Sequence, residues 1–240
     1  MIRLLQRFTI VCAMFAVPSM PSLAESVSVT VIGTLTPAAC VPTLTGGGVV
    51  DYGTLSASLL NPNTYIALPV KQLGFSIACT APVRLTVQAA TGRPNTVLAP
   101  TESTRGVGLN PIPLLDVANG LPVVGLGLDT DGVTKIGGYV VGPVVGSFTA
   151  DGVAVDILTQ RGESPSPNWV LQSTPGSLYT SFDFQNRFTA WAAVGELTPV
   201  AFTNLSGILQ VQAYLNTSSA LNLSHPIVLN GLTAIEILYL

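Results

Sequence analysis

Thr233-Ala234-Ile235-Glu236-Ile237-Leu238-Tyr239-Leu240 reads as a β-strand at the end of the chain. Successive side chains of a strand alternate between its two faces. Ile235, Ile237 and Tyr239 therefore share one face, and Ala234, Leu238 and Leu240 share the other, interrupted by Glu236. Chain ends are usually polar and frayed. An apolar terminal strand needs a place in a sheet or a partner, because a bare one invites edge pairing.

Further back, short alternating runs recur between turn clusters. Val27 to Leu35, Leu73 to Cys79, Val83 to Val87, Val107 to Leu109, Gly138 to Val141, Ala154 to Leu158, Phe182 to Phe184 and Ile208 to Tyr214 all follow the pattern. Gly46-Gly47-Gly48, Asp129-Thr130-Asp131-Gly132, Asp151-Gly152 and Asn230-Gly231 supply turns. Helix signals are nearly absent, so the expected class is all-β, a sandwich or barrel. Ser164-Pro165-Ser166-Pro167-Asn168 is the most loop-like stretch, but no shift in charge or complexity accompanies it, so residues 25–240 read as one domain.

The N-terminus carries an export pattern. Arg3 and Arg7 precede the apolar run Phe8 to Val17, and Ser22-Leu23-Ala24 is a small-x-small cleavage site. Residues 1–24 are thus expected to be a signal peptide. No apolar run reaches the roughly 20 residues a membrane-spanning helix needs. Cleavage would also remove Cys12 and leave Cys40 and Cys79, an even count that in an exported chain predicts a disulfide. Closing a loop of about 40 residues should stabilise by roughly 4 kcal/mol on the chain-entropy view.

Without the leader, seven basic side chains face twelve acidic ones, a net charge of −5. The basic residues never cluster, which argues against nucleic acid or an anionic membrane as partner. A chain 48% hydrophobic and 9% charged is poor in charge for a free monomer and suits a subunit packed in an assembly.

Material for catalysis or metal binding is thin. The one histidine, His225, lies in Ser224-His225-Pro226, beside no Gly-x-Ser-x-Gly elbow. Asp129-x-Asp131-Gly132 lacks the downstream acidic ligand of a calcium loop and fits a hairpin turn between Gly125–Leu128 and Ile136–Tyr139. Trp169 and Trp191 could stack on sugar rings if exposed, although a sandwich tryptophan is more often core. No enzyme activity, cofactor or metal is expected, and a carbohydrate-binding module is the alternative to a structural role.

Three pieces together resemble a chaperone–usher pilin, the subunit of bacterial fimbriae. Val31-Ile32-Gly33-Thr34-Leu35-Thr36-Pro37-Ala38-Ala39-Cys40 resembles the first pilin strand, and Phe75-Ser76-Ile77-Ala78-Cys79 the second, whose cysteine closes the family's disulfide. Val50-Asp51-Tyr52-Gly53-Thr54-Leu55 is similar to the segment between them, and Tyr239 occupies the family's penultimate position. Along its whole length the chain more closely resembles the DUF1120 type of fimbrial-like exported proteins of Gram-negative bacteria, with Gly125-Leu126-Gly127 and Lys135 to Tyr139 among the shared pieces.

The resemblance implies an immunoglobulin-like sandwich lacking its last strand, completed first by a periplasmic chaperone and then by another subunit through β-augmentation. Chaperone, outer-membrane usher and other fimbrial subunits are the implied partners, and periplasm then cell surface the implied location. Thr233, Ile235, Ile237 and Tyr239 would edge the groove, and Val27, Val29 and Val31 are the donor-strand candidates. The match starts the first strand at Val31, which leaves about eight residues, Glu25 to Ile32, ahead of it. A polymerising pilin has a longer free segment, so the chain reads as an acceptor of a strand more than as a donor.

Overall fold

A computed structural model describes residues 30–33, 38–180 and 185–240. The strands are β1 Cys40–Leu44, β2 Ile66–Ala67, β3 Lys71–Val83, β4 Leu85–Thr91, β5 Val107–Leu109, β6 Pro122–Gly125, β7 Gly137–Pro143, β8 Thr149–Ala150, β9 Val153–Gly162, β10 Val170–Leu171, β11 Asn186–Ala193, β12 Phe202–Leu215 and β13 Thr233–Tyr239. Among the described residues, helix is confined to single 3₁₀ turns at Thr45–Gly48 and Ala57–Leu59. The protein is all-β, as the alternation of its apolar residues requires.

Among the described residues the named strands pair antiparallel, with one isolated parallel bridge at Ala89↔Tyr179, and fall into two layers. One runs β1-β3-β12-β7-β6-β5, with β2 and β8 also pairing β12. The other runs β13-β4-β11-β9-β10. The first two residues of β9 pair with β8, and the strand then crosses into the second layer, joining the two. Pro37–Leu240 cluster as one compact unit, separate from Met1–Thr36.

The core lies between the layers. Phe75, Ile77, Leu205, Leu209 and Val211 enter from the first, and Leu85, Val87, Val155, Ile157 and Trp191 from the second. Trp191 is 1% exposed, and its ring meets those of Phe148, Phe202 and Phe75 at centroid distances of 5.5, 6.2 and 6.4 Å. Two further apolar clusters cover the outer faces. Val97, Leu114, Leu115 and Leu121 fold over Val123, Val140 and Tyr214 on the first layer. Trp169 folds over Leu158, Phe188, Ala190 and Ala192 on the second. Much of the apolar composition is therefore buried by the chain itself, which moderates the inference of a packed subunit drawn from sparse charge.

The structure differs from the sequence reading at three points. Thr30–Gly33 have no regular structure, and Val31 is 91% exposed, so the run from Val27 to Leu35 is not a strand where it is described; residues 27–29, 34 and 35 lie outside the described residues, as do 182 and 184. The first strand starts instead at Cys40. Asn230-Gly231 is extended rather than a turn, and a side chain at Gly231 would meet the Tyr139 ring at 2.6 Å. Ser164 to Asn168 folds back onto the sheet: Ser166 N–H donates to Gln160 Oε1 at 2.8 Å, and Gln160 Nε2 to Ser166 Oγ at 2.7 Å.

Candidate functional site: an apolar groove between the first and last strands

Among the described residues, β1 and β13 are each paired on one side. β1 pairs β3 from Cys40↔Cys79 to Leu44↔Phe75, and β13 pairs β4 from Thr233↔Thr91 to Tyr239↔Leu85. The disulfide joins Cys40 to Cys79 directly across the β1–β3 ladder, with Cα atoms 4.0 Å apart. The predicted pairing of the two cysteines is thus in place.

The free edge of β13 is defined by its hydrogen-bond parity. Gly92 N–H donates to Leu232 O at 2.8 Å, and Leu240 N–H to Arg84 O at 3.1 Å. In an antiparallel ladder the inward and outward main-chain pairs alternate. Even-numbered residues therefore bond β4, and the N–H and C=O groups of Thr233, Ile235, Ile237 and Tyr239 face outward. The same parity applied to β1, where Thr80 N–H donates to Ala39 O at 2.9 Å, turns Cys40, Pro42 and Leu44 outward. Cys40 N–H uses that freedom to donate to Tyr239 Oη at 3.1 Å.

The odd row of β13 also carries the groove's side chains. Ile235 and Ile237 pack on the main core, whereas Leu238 packs on the cluster beneath Trp169. The row continues upstream of the strand, because Ile227 and Leu229 are half-buried on the same core and Pro226, Val228 and Asn230 between them are exposed. The opposite wall is built alike from Leu44, Val50, Tyr52, Leu55 and Leu60. Between the walls lie two apolar cavities of about 450 and 530 Å³. The first is floored by Leu73, Tyr139, Val141, Leu209 and Val211; the second reaches Ile136, Leu215 and Leu221. Exposed Val49, Leu59, Leu223, Val228 and Leu232 come from the segments that line the cavities.

Polar anchors fix the start of β13. Thr233 Oγ1 shares hydrogen bonds with the hydroxyls of Tyr139 at 2.6 Å and Tyr179 at 2.7 Å. Burial pushes both phenols above their usual value, Tyr179 more strongly because it is fully enclosed. Arg93 donates to Asn230 O and Oδ1 at 3.1 and 2.9 Å, and Gln88 Nε2 to Glu236 Oε2 at 2.8 Å.

Thr233, Ile235, Ile237 and Tyr239 form one row of β13. Two of them play parts the sequence did not foresee: Thr233 points into the tyrosine pair, and Tyr239 spans the groove mouth. The continuation through Ile227 and Leu229 was missed, although its alternation was readable. Of the donor candidates, Val27 and Val29 lie outside the described residues.

The other candidates are engaged elsewhere. Trp191 is 1% exposed and lies in the core, which removes it from the carbohydrate reading; Trp169 is 7% exposed and lines a surface cavity of about 460 Å³ with Pro165, Pro167 and Tyr239. His225 Nε2 lies 3.2 Å from Thr130 Oγ1 and 3.6 Å from Asp129 Oδ1, and Ser224 Oγ donates to Asn222 Oδ1. Asp131 caps its own turn through Val133 N–H, Thr134 N–H and the Thr134 hydroxyl; these bonds, the hydroxyl's above all, hold its carboxyl below the usual range. The Asp129 to Gly132 turn joins Leu128 and Lys135 as the predicted hairpin. Among the described residues, no group of three His, Cys, Asp or Glu side chains is placed to hold a metal ion, and no helix is long and apolar enough to cross a membrane.

Residues 29–140 match the family described as a protein of unknown function, DUF1120. The chain is 32% identical over 245 residues to "Protein GltF" of Escherichia coli (strain K12), covering 96% of each. It is 26% identical over 225 residues to "Uncharacterized protein YhcF" of the same organism, covering 90% of this chain and 92% of that one. No solved structure matches.

Proposed function

The chain belongs to the DUF1120 family, and from that premise we propose that it is a fimbrial-like structural subunit completed by a strand from another chain. The observation that carries this reading is the coincidence of a free hydrogen-bonding edge with an apolar groove. The outward main-chain groups of Thr233, Ile235, Ile237 and Tyr239 lie along an edge on which Thr233 and Ile235 wall the first cavity. An extended segment with alternating apolar residues satisfies both at once: its main chain pairs with β13 and every second side chain enters the cavities. On this reading the fold is an immunoglobulin-like sandwich lacking one strand, and the occupants are a periplasmic chaperone, then another subunit delivered by an outer-membrane usher. The protein carries out no catalytic step and works in the periplasm and at the cell surface.

With cleavage after Ala24, residues 25–39 precede β1, and Val27, Val29 and Val31 within them are the donor-strand candidates; the chain reads as an acceptor more than as a donor.

The test is uptake of a strand in trans. A peptide of Glu25 to Leu35 should bind the purified chain and raise its unfolding midpoint in proportion to the logarithm of peptide concentration. Ile235→Asp, which puts a charge into the first cavity, should abolish that response. A cooperative monomer indifferent to the peptide and to a co-expressed chaperone would refute the proposal. Chaperone and usher genes beside this one would support it independently.

A further inference from the structure

Residues 49–60 cross the opening between the layers without joining either. Among the described residues their main-chain hydrogen bonds are local: Val49 N–H to Gly46 O, Gly53 N–H to Asp51 Oδ1, Ser58 N–H to Ser56 Oγ, Leu59 N–H to Ser56 O and Leu60 N–H to Ala57 O. One side chain ties the segment to a sheet through hydrogen bonds. The Tyr52 hydroxyl donates to Val211 O at 3.4 Å and accepts Ala213 N–H at 3.2 Å, just past the point where β3 stops pairing β12. Lys71 Nζ sits 5.8 Å from the same ring.

The segment begins at three consecutive glycines in the left-handed region, Gly46, Gly47 and Gly48, with φ of 61°, 64° and 77°. A Cβ at Gly46 or Gly47 would touch nothing within 4 Å. Packing therefore does not demand glycine at these two positions; the backbone conformation does.

Val50 and Tyr52 from this segment and Leu229 from the facing wall line both cavities. These three side chains form the constriction between the two spaces. A strand lying along the full groove has to pass it.

We propose that residues 49–60 are a hinged strap over the groove, pivoting at Gly46–Gly48 and latched by the Tyr52 hydroxyl, which swings aside to admit a strand and closes over it. The proposal rests on the strand-uptake reading above and adds the moving part. Entry is limited by release of the strap, the Tyr52 hydrogen bonds together with the core contacts of Val50, Leu55 and Leu60, rather than by opening of either sheet. Closure then gives the strap's idle main-chain groups a partner.

Hydrogen exchange of the purified full chain, alone and with the Glu25 to Leu35 peptide, tests this. In the free protein, amides 49–60 should exchange far faster than those of β12, and the peptide should slow them. Tyr52→Phe should speed exchange of 49–60 about tenfold, the effect of losing a hydrogen bond of ordinary net strength, and raise the peptide association rate by a similar factor, with β9 unchanged. Gly47→Ala, which strains the left-handed backbone of the closed strap without a steric contact, should likewise speed exchange of 49–60 and association. Core-like protection of 49–60 in the free chain, or association rates indifferent to both substitutions, would overturn the strap even if the peptide binds. A strap that responds to Tyr52→Phe in a chain that takes up no peptide would overturn strand uptake and leave the hinge standing.

Discussion

The phenolic oxygen of Tyr239 accepts the main-chain N–H of Cys40 at 3.1 Å, tying the last strand to the first across the mouth of the groove. The bond joins residues 199 positions apart and meets the disulfide at one of its own half-cystines. β13, β1 and β3 are thereby linked in series at one end of the opening.

Tyr239→Phe removes this link. Because Tyr239 is 51% exposed, water can take over the Cys40 N–H, and the expected loss is at the low end for a hydrogen bond, about 0.5–1 kcal/mol. Urea denaturation should show the midpoint falling with an unchanged slope.

Reducing the Cys40–Cys79 disulfide, with a sequence separation of 39, should cost about 4 kcal/mol on the chain-entropy account. Denaturation with and without dithiothreitol, checked against the double Cys→Ser variant, measures it. Tyr239→Phe should lose most of its effect in the reduced protein, since its partner strand is then no longer stapled.

Thr233→Val keeps the shape and removes the hydroxyl that two buried phenols share. Tyr139 and Tyr179 would be left with each other as hydrogen-bond partners, and about 1 kcal/mol should follow from the lost bonds. The more telling readout is increased amide exchange in β13, because the hydroxyl cluster is what fixes the strand's first residue.

Alkaline stability should fall in a defined direction. Burial raises the Tyr139 and Tyr179 phenols above the ordinary tyrosine value of about 10, so the folded state holds protons that the unfolded chain has released. Their contribution is whole below pH 10 and is lost as pH rises through the folded values. Stability measured at successive pH values above 10 should decline, and Tyr139→Phe should flatten the decline.

The sequence was most legible where each strand carries its own pattern. Leu73 to Cys79, Ile208 to Tyr214 and the terminal strand alternate against the core and appear as strands, and Gly138 to Val141 appears as a strand buried on both faces. The first strand was misplaced because alternation is not what makes it. Cys40-Val41-Pro42-Thr43-Leu44 has a weak pattern and a proline, and its position comes from the disulfide and the facing β3. Pro42 is tolerated because its missing N–H falls on the outward side. The tryptophans were undecided for a related reason: loops after Thr91 and Gly162 fold over the outer sheet faces, and nothing local in those loops announces which surface they cover. Within the groove, the wall at β13 was readable from alternation, whereas the Tyr52 latch joins segments 159 positions apart and has no signal in either.

The parity of β13 has a consequence for any joint made on it. Main-chain groups face outward at every second residue, so a partner sliding along the edge recovers its hydrogen bonds only after a shift of two residues, about 6.6–6.8 Å. A shift of one residue would turn its apolar side chains out of the cavities. Positions along this edge are therefore discrete rather than continuous, and an assembly built on it would have its subunit spacing counted in dipeptide steps.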